Sequence, residues 1–280
     1  MTVSELTRPA LKPARVAAAT ARLAFVDNLR TFLAALVVAH HAGQAYGPTG
    51  GDWPIFNPTR AALLGPFFGV NASFFMGLFF LIAGYFVPMA YDRRGAGGFL
   101  RERILRLGLP LLVVSLGLFL PLAYTSQDQP LMPFLASYLR TPEVGHMWFA
   151  GHLIVYAFAY CVWRLFADRP GVMPVAPALP RHRDILWYVF GLTLATFVVR
   201  LVFPIDRWVV LAPFIRAEPA HLPQYASLFV LGIVAYRGDW LTRFPTAMGM
   251  TWLKIGLAAA TLPYATTVLR ELTLIDIRLF

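Results

Sequence analysis

Apolar residues run through this chain in long blocks rather than at alternate positions. Blocks of this kind read as buried or membrane helices, and a helix needs about 20 largely apolar residues to cross the hydrocarbon layer. Seven stretches qualify: residues 29–47, 66–90, 107–124, 147–166, 185–203, 221–237 and 252–269. The sixth is the weakest, being short and carrying Pro223 and Gln224. The stretch TSQDQPLMPFLASYLRTPEVG at 125–145 is too polar and too broken by proline to span, and is expected to hold a short helix lying at the interface. The run RPGVMPVAPALPR at 169–181 reads as a loop. The expectation is an all-α protein, a polytopic transmembrane bundle of about seven spans.

Composition agrees with the pattern. Of the 280 residues, 58% are hydrophobic and 14% charged, with a mean hydropathy of +0.62. A soluble domain would be near half apolar and about a quarter charged, so the excess belongs in a bilayer. The net charge of +10 and the pI of about 10.2 raise the question of nucleic acid. The placement of the charges answers it. Arginines and lysines crowd into the N-terminal tail (Arg8, Lys12, Arg15, Arg22, Arg30) and into the loops after spans two, four and six. The opposite side holds Arg60, Arg140, Arg200, Arg207 and Arg216. Basic residues concentrated in the tail and in alternate loops, all on one side, place the N-terminus in the cytoplasm and make a nucleic-acid partner unnecessary. Residues 1–24 are then a cytoplasmic tail, since they lack the compact apolar core and small-residue cleavage site of a signal peptide. The single cysteine, Cys161, permits neither a disulfide within the chain nor a cysteine metal site, and reads as a small buried apolar residue.

The informative residues are the polar ones inside apolar blocks. Arg30 and His41 are eleven residues apart in the first span. At 3.6 residues per turn that is about 20° from one face and a rise of about 16 Å, whereas His40 falls about 80° away. Arg30 and His41 therefore share a stripe. Two readings stay open: Arg30 snorkels while the histidines end the helix at the interface, or the stripe lines an interior cavity. Arg103 and Arg106 sit three apart just before the third span, with Arg101 beside them. They either set topology or grip a phosphate. No paired spacing suggests a histidine metal site beyond the adjacent His40 and His41.

Four segments together resemble the acyltransferase 3 family of integral membrane O-acyltransferases: FVDNLRTFLAALVVAHHAG, FFMGLFFLIAGYF, FLRERILRLGLPLLV and GHMWFAGHLIVYAFAY. Arg30 and His41 match its arginine, ten residues, then histidine. Arg103 and Arg106 match its Arg-x-x-Arg, Gly84 and Tyr85 close its Phe-rich second span, and His146 and Trp148 open a middle span. RLGLP and VVRLVFP look most like the branch that modifies periplasmic glucans. Members usually have about ten spans, so the domain at 25–280 is expected to be C-terminally incomplete.

The resemblance implies an enzyme of the inner (cytoplasmic) membrane. It would move an acyl group, acetyl or succinyl, from cytoplasmic acyl-CoA to a hydroxyl of a periplasmic or cell-surface glycan, with no permanently bound cofactor and no metal. Its partners would be acyl-CoA, the glycan acceptor and the lipid bilayer, with no nucleic acid. His41 would be the general base, or would carry the acyl group transiently. Arg30 would orient the donor or stabilise negative charge, and Asp27 would fix Arg30 or begin the helix. Arg103, Arg106 and Arg101 would hold donor phosphates. His146, Trp148 and Glu143 are candidates for the acceptor side. The alternative is a transporter or exporter of a polar solute with Arg30 and His41 as a relay; such proteins often carry inverted repeats, and none is visible here.

Overall fold

The structure, a computed structural model, describes residues 24–48, 57–126, 128–167 and 176–271. Most of the tail at 1–24, the arginine at 169 and the last nine residues lie outside them.

Each apolar block folds as a helix, the form in which every backbone N–H and C=O inside a bilayer finds a partner within its own segment. Helix α1 is Ala24–Gly43 and ends in a 3-10 turn, Gln44–Tyr46. Helix α2, Leu64–Arg103, bends at Gly95, whose φ of 68° lies in the region that glycine enters without a Cβ penalty. The chain continues through π-helical turns, Ile104–Gly108 and Ser115–Phe119, that alternate with α3 (Leu109–Val114) and α4 (Leu120–Thr125). Then come α5 (Leu131–Arg140), α6 (Trp148–Ala167), α7 (His182–Val202), α8 (Leu222–Arg237), the short α9 (Trp240–Arg243) and α10 (Thr246–Glu271). Among the described residues, three stretches are long and apolar enough to cross a membrane: Leu64–Thr125, Leu131–Ala167 and His182–Val202. Large apolar side chains such as Phe190, Phe197 and Leu201 on α7 point outward, the arrangement a lipid solvent favours. This is a multi-pass membrane protein.

One element departs from the all-helical expectation. Between α7 and α8 the segment VVLAPFIRA forms a hairpin of β1 (Val209–Ala212) and β2 (Ile215–Ala217), with Val209 opposite Ala217 and Phe214 at a φ of 64° in the turn. β-Branched residues either side of a proline-containing turn suit an extended pair.

Helix α2 is the centre of the bundle. It crosses α8 at Gly84 and Gly232, and a Cβ on either would overlap backbone of the other helix: the Phe229 carbonyl from position 84, the Leu81 carbonyl from position 232. Small residues let membrane helices approach to backbone contact, and dispersion then holds them. Aromatic rings fill the space beside this crossing. Phe80 is fully buried, stacked on Tyr225 (centroids 4.8 Å apart) and edge-on to Phe149 (4.7 Å). Near one end of the bundle, Asp92 of α2 takes ion pairs from Arg164 of α6 (2.7 Å) and Arg237 of α8 (3.2 Å). The Tyr160 hydroxyl accepts from the same two guanidiniums, at 2.9 and 3.1 Å. One carboxylate and one phenol thus tie three helix ends together.

Substituting Gly84 or Gly232 by leucine should force α2 and α8 apart, at a cost of about 1–3 kcal/mol. Gly191→Leu, at a position where an added Cβ meets nothing within 4 Å, should leave stability unchanged. Thermal denaturation of the three purified variants checks this; equal midpoints would show that the crossing tolerates side chains.

Candidate functional site

The bundle has two polar ends. Helix α1 starts at one with Asp27 and Arg30 and reaches the other with His40 and His41, because its 3.6-residue repeat carries the chain about 16 Å between Arg30 and His41.

At the histidine end a cavity of about 1180 Å³ opens between α1, α2, α6, α7 and the segment leading into α8. His41 lies on its wall. Its Nδ1 is 2.7 Å from Oε1 of Gln44, three residues on in the 3-10 turn. An amide oxygen only accepts, so this bond is made in the tautomer that carries the imidazole proton on Nδ1. The His146 ring stands edge-on to His41 with centroids 4.0 Å apart. His40, the neighbour that helical phase set aside, is buried with its ring 5.1 Å from each of Phe68 and Phe75, yet still touches the cavity. Trp148 lines the wall as well, stacked on Tyr225.

The outer rim of the cavity comes from residues that sequence pattern passed over. The Glu218 carboxylate accepts from the backbone N–H of Asp206 at 2.7 Å and lies 3.4 Å from His221 Nε2. Burial holds this carboxyl above the usual carboxylate range, although the Asp206 N–H and the Arg200 guanidinium favour its charged form. Arg200, Asp206, Trp208 and Gln224 complete the rim. Arg200 and Gln224 are visible as polar residues at the ends of apolar blocks, and Gln44 through its i, i+3 spacing to His41; Asp206, Trp208 and Glu218 sit in the connection between α7 and α8, where helical phase says nothing.

Not every expected residue joins this cavity. Glu143 is held by Arg216 Nη1 (2.9 Å) and by the Gly145 N–H (3.3 Å), fastening the start of α6 to β2, and is outside the cavity wall. Arg30 is also absent from the wall. It lies 4.0 Å from Asp27 and over the Phe86 ring at 5.6 Å, half-exposed at the opposite end. The stripe shared with His41 is real as helix geometry, but its two members serve different ends of the bundle.

At that basic end Arg30 comes within electrostatic range of Arg103, as do Arg94 and Arg106. Glu102 is their counter-charge, pairing with Arg94 and, at 3.2 Å, with Arg106. Arg94, Arg101, Glu102 and Arg106 line a groove of about 480 Å³ with Gly98 and Leu105. Arg103 does not line it. Its guanidinium lies 5.0 Å over the Phe99 ring, and its buried Nε has no hydrogen-bond partner among the described residues. The expected convergence of Arg103 and Arg106 therefore gives way to one of Arg101 and Arg106. The physical reason is the π-helical turn that begins at Ile104, which widens the helix by one residue per hydrogen-bonded ring and rotates Arg106 away from Arg103.

Among the described residues no group of three or more His, Cys, Asp or Glu could hold a metal ion. What the two sites offer is an arginine-lined groove at one end and a cavity with two adjacent imidazoles, His41 and His146, at the other.

Comparison with known proteins bears on what these ends serve. The acyltransferase 3 family model, an acyltransferase domain, matches residues 23–273. The proteins named Glucans biosynthesis protein C of Salmonella paratyphi A and Salmonella agona are each 26% identical over 259 residues, which is 86% of this chain and 65% of theirs. The chain thus spans just under two thirds of the length of these curated relatives. No solved structure matches. By the family match across nearly its whole length, this chain belongs to the acyltransferase 3 family.

Proposed function

We propose that this protein is an O-acyltransferase of the inner membrane, with seven spans in this chain and its N-terminus in the cytoplasm. It moves an acetyl or succinyl group from acyl-CoA to a hydroxyl of a periplasmic or surface glycan. The observation that carries this reading is His41, oriented by Gln44, on the wall of a cavity with His146 against it. The glycan acceptor is further supported by the relatives named for glucan biosynthesis. The cytoplasmic donor is supported by Arg94, Arg101 and Arg106 lining one groove with Glu102 as the carboxylate among them, at the end that the positive-inside rule assigns to the cytoplasm.

In the mechanism the phosphates of the donor rest in the arginine groove, where guanidinium forks suit phosphate geometry. The long pantetheine arm reaches toward the histidine end. There the acceptor hydroxyl loses its proton to His41 Nε2 as its oxygen attacks the thioester carbonyl carbon. The C–S bond breaks, the acyl group stays on the sugar oxygen, and the departing thiolate takes a proton back from the imidazolium. A neutral imidazole held by an amide at Nδ1 suits such work near neutral pH. His146 is placed to share the proton during this exchange.

His41→Ala should lower kcat by about 10²–10⁴-fold while leaving expression and membrane insertion intact, the usual range for losing a general base. His40→Ala, which removes packing against Phe68 and Phe75, should cost stability more than kcat, and Gln44→Leu should cost less than His41→Ala. Steady-state transfer of radiolabelled acetyl or succinyl groups to a periplasmic glucan measures all three; wild-type kcat in His41→Ala would remove that residue from the chemistry. The double variant Arg101→Gln, Arg106→Gln should raise the donor KM at least tenfold with the acceptor KM unchanged. Equal donor KM values would leave those arginines with topology as their only task.

A further inference from the structure

We infer that the rim of the large cavity is a saccharide platform on which Trp208 stacks one pyranose ring while Asp206 and Arg200 bind its hydroxyls. This deepens the proposed function and rests on it for the identity of the acceptor.

Three observations lead to this assignment. Trp208 is 43% exposed, and its one aromatic neighbour is Trp148, which it meets edge-on (centroids 5.6 Å, planes 64° apart). Trp148 stacks on Tyr225, and Tyr225 on His221 and Phe80, so the indole is braced by a column of rings that reaches the core. A large apolar ring left open at the mouth of a cavity, on a rigid support, is a surface for a flat apolar partner. The C–H face of a pyranose is such a partner.

The polar groups beside it are uncommitted. Among the described residues the Asp206 carboxylate and the Arg200 guanidinium make no hydrogen bond or ion pair, although both line the cavity. Gln224 spends its amide nitrogen on the Ser73 carbonyl (2.6 Å), which leaves its oxygen as an acceptor. A carboxylate accepts from sugar hydroxyls and a guanidinium donates to them. Two carboxylates, Asp206 and Glu218, face one guanidinium, Arg200, so the rim has no excess of positive charge and suits an uncharged saccharide rather than a phosphorylated headgroup.

The aim of these groups is fixed by the chain itself. Asp206 sits at a φ of 69°, in the left-handed region that few residues other than glycine, asparagine and aspartate enter. Glu218, with a side chain only 11% exposed, holds it there through the Asp206 N–H at 2.7 Å. A strained turn clamped by a buried carboxylate, immediately before the exposed indole, keeps Asp206 and Trp208 at the mouth. The hairpin that follows is anchored in turn by Arg216 on Glu143 and by His152 on the Arg216 carbonyl (2.9 Å). His41 lies on the same cavity wall, so a sugar seated on the rim would present a hydroxyl to the base.

The test is equilibrium dialysis of a tritiated linear glucose hexamer against the full chain in nanodiscs, free of glycosidic detergent and with no acyl donor present. The expected result is saturable binding that Trp208→Leu weakens at least tenfold, Asp206→Asn weakens severalfold, and Trp208→Phe keeps within about threefold. Trp163→Leu, an exposed tryptophan on α6 toward the basic end, should bind like the wild type. Thermal midpoints of all variants verify folding, and Trp208→Phe with Asp206→Asn decides the matter should Trp208→Leu be unstable. Unchanged binding in the folded Trp208 and Asp206 variants overturns the platform, as does an absence of hexamer binding by the wild type. Failure of acyl transfer with binding intact would instead count against the proposed chemistry and leave the platform standing.

Discussion

The close crossing of α2 and α8 is the constraint on which the rest of the architecture depends. Gly84 and Gly232 bring the two backbones into contact near the middle of both helices. Everything of interest hangs from the ends of this pair. At one end α2 carries Asp92 and the arginine-rich turn, and α8 carries Arg237. At the other, α2 presents Phe68, Phe75 and Ser73 to the cavity and α8 presents Gln224 and Tyr225. Without a hydrophobic driving force between helices in lipid, such contact relies on packing and on polar ties. The Asp92–Arg164–Arg237–Tyr160 network supplies the latter near the basic end, and the Gln224 bond to the Ser73 carbonyl supplies it near the cavity.

Chemistry is divided between the ends by the same frame. Phosphate recognition needs exposed, clustered guanidiniums, and proton transfer needs an oriented imidazole shielded from bulk water. The two demands conflict within one site, because unpaired arginines around a histidine would disfavour its protonated form. Arg94, Arg101 and Arg106 line the groove at one end, and of the arginines only Arg200 lines the cavity that holds His41 and His146, among the described residues. The arrangement also suits a reaction whose two substrates come from opposite sides of a bilayer.

Much of this was legible in the chain because lipid imposes a coarse and strong code. Blocks of apolar residues marked helices, two of them within a residue of their ends: 147–166 became Trp148–Ala167, and 221–237 became Leu222–Arg237, whereas 66–90 and 107–124 fell within one helical stretch, Leu64–Thr125. Helical phase set His41 apart from His40; both rings reach the cavity, and His40 is the one packed among phenylalanines. Phase failed where the helix itself changes. The π-helical turn at Ile104 turns on a shift of hydrogen-bond register that composition does not announce, and it separated Arg103 from Arg106. Phase was also silent about depth: it aligned Arg30 with His41 but could not say that 16 Å of helix would put them in different sites. The rim residues, Asp206, Trp208 and Glu218, lie in a connection whose conformation is set by tertiary contacts, with the Glu218 bond to the Asp206 backbone foremost.

The account's central claim is that donor and acceptor meet across the bundle, the donor from the arginine end and the sugar from the histidine end. Proteoliposomes of known protein orientation test it most directly, with radiolabelled acyl-CoA confined to one compartment and a gluco-oligosaccharide to the other. The account predicts acylated saccharide when the thioester faces the arginine end and the sugar faces the histidine end, and none when the compartments are exchanged. Equal product in both arrangements, or transfer only when both substrates share a side, would contradict it.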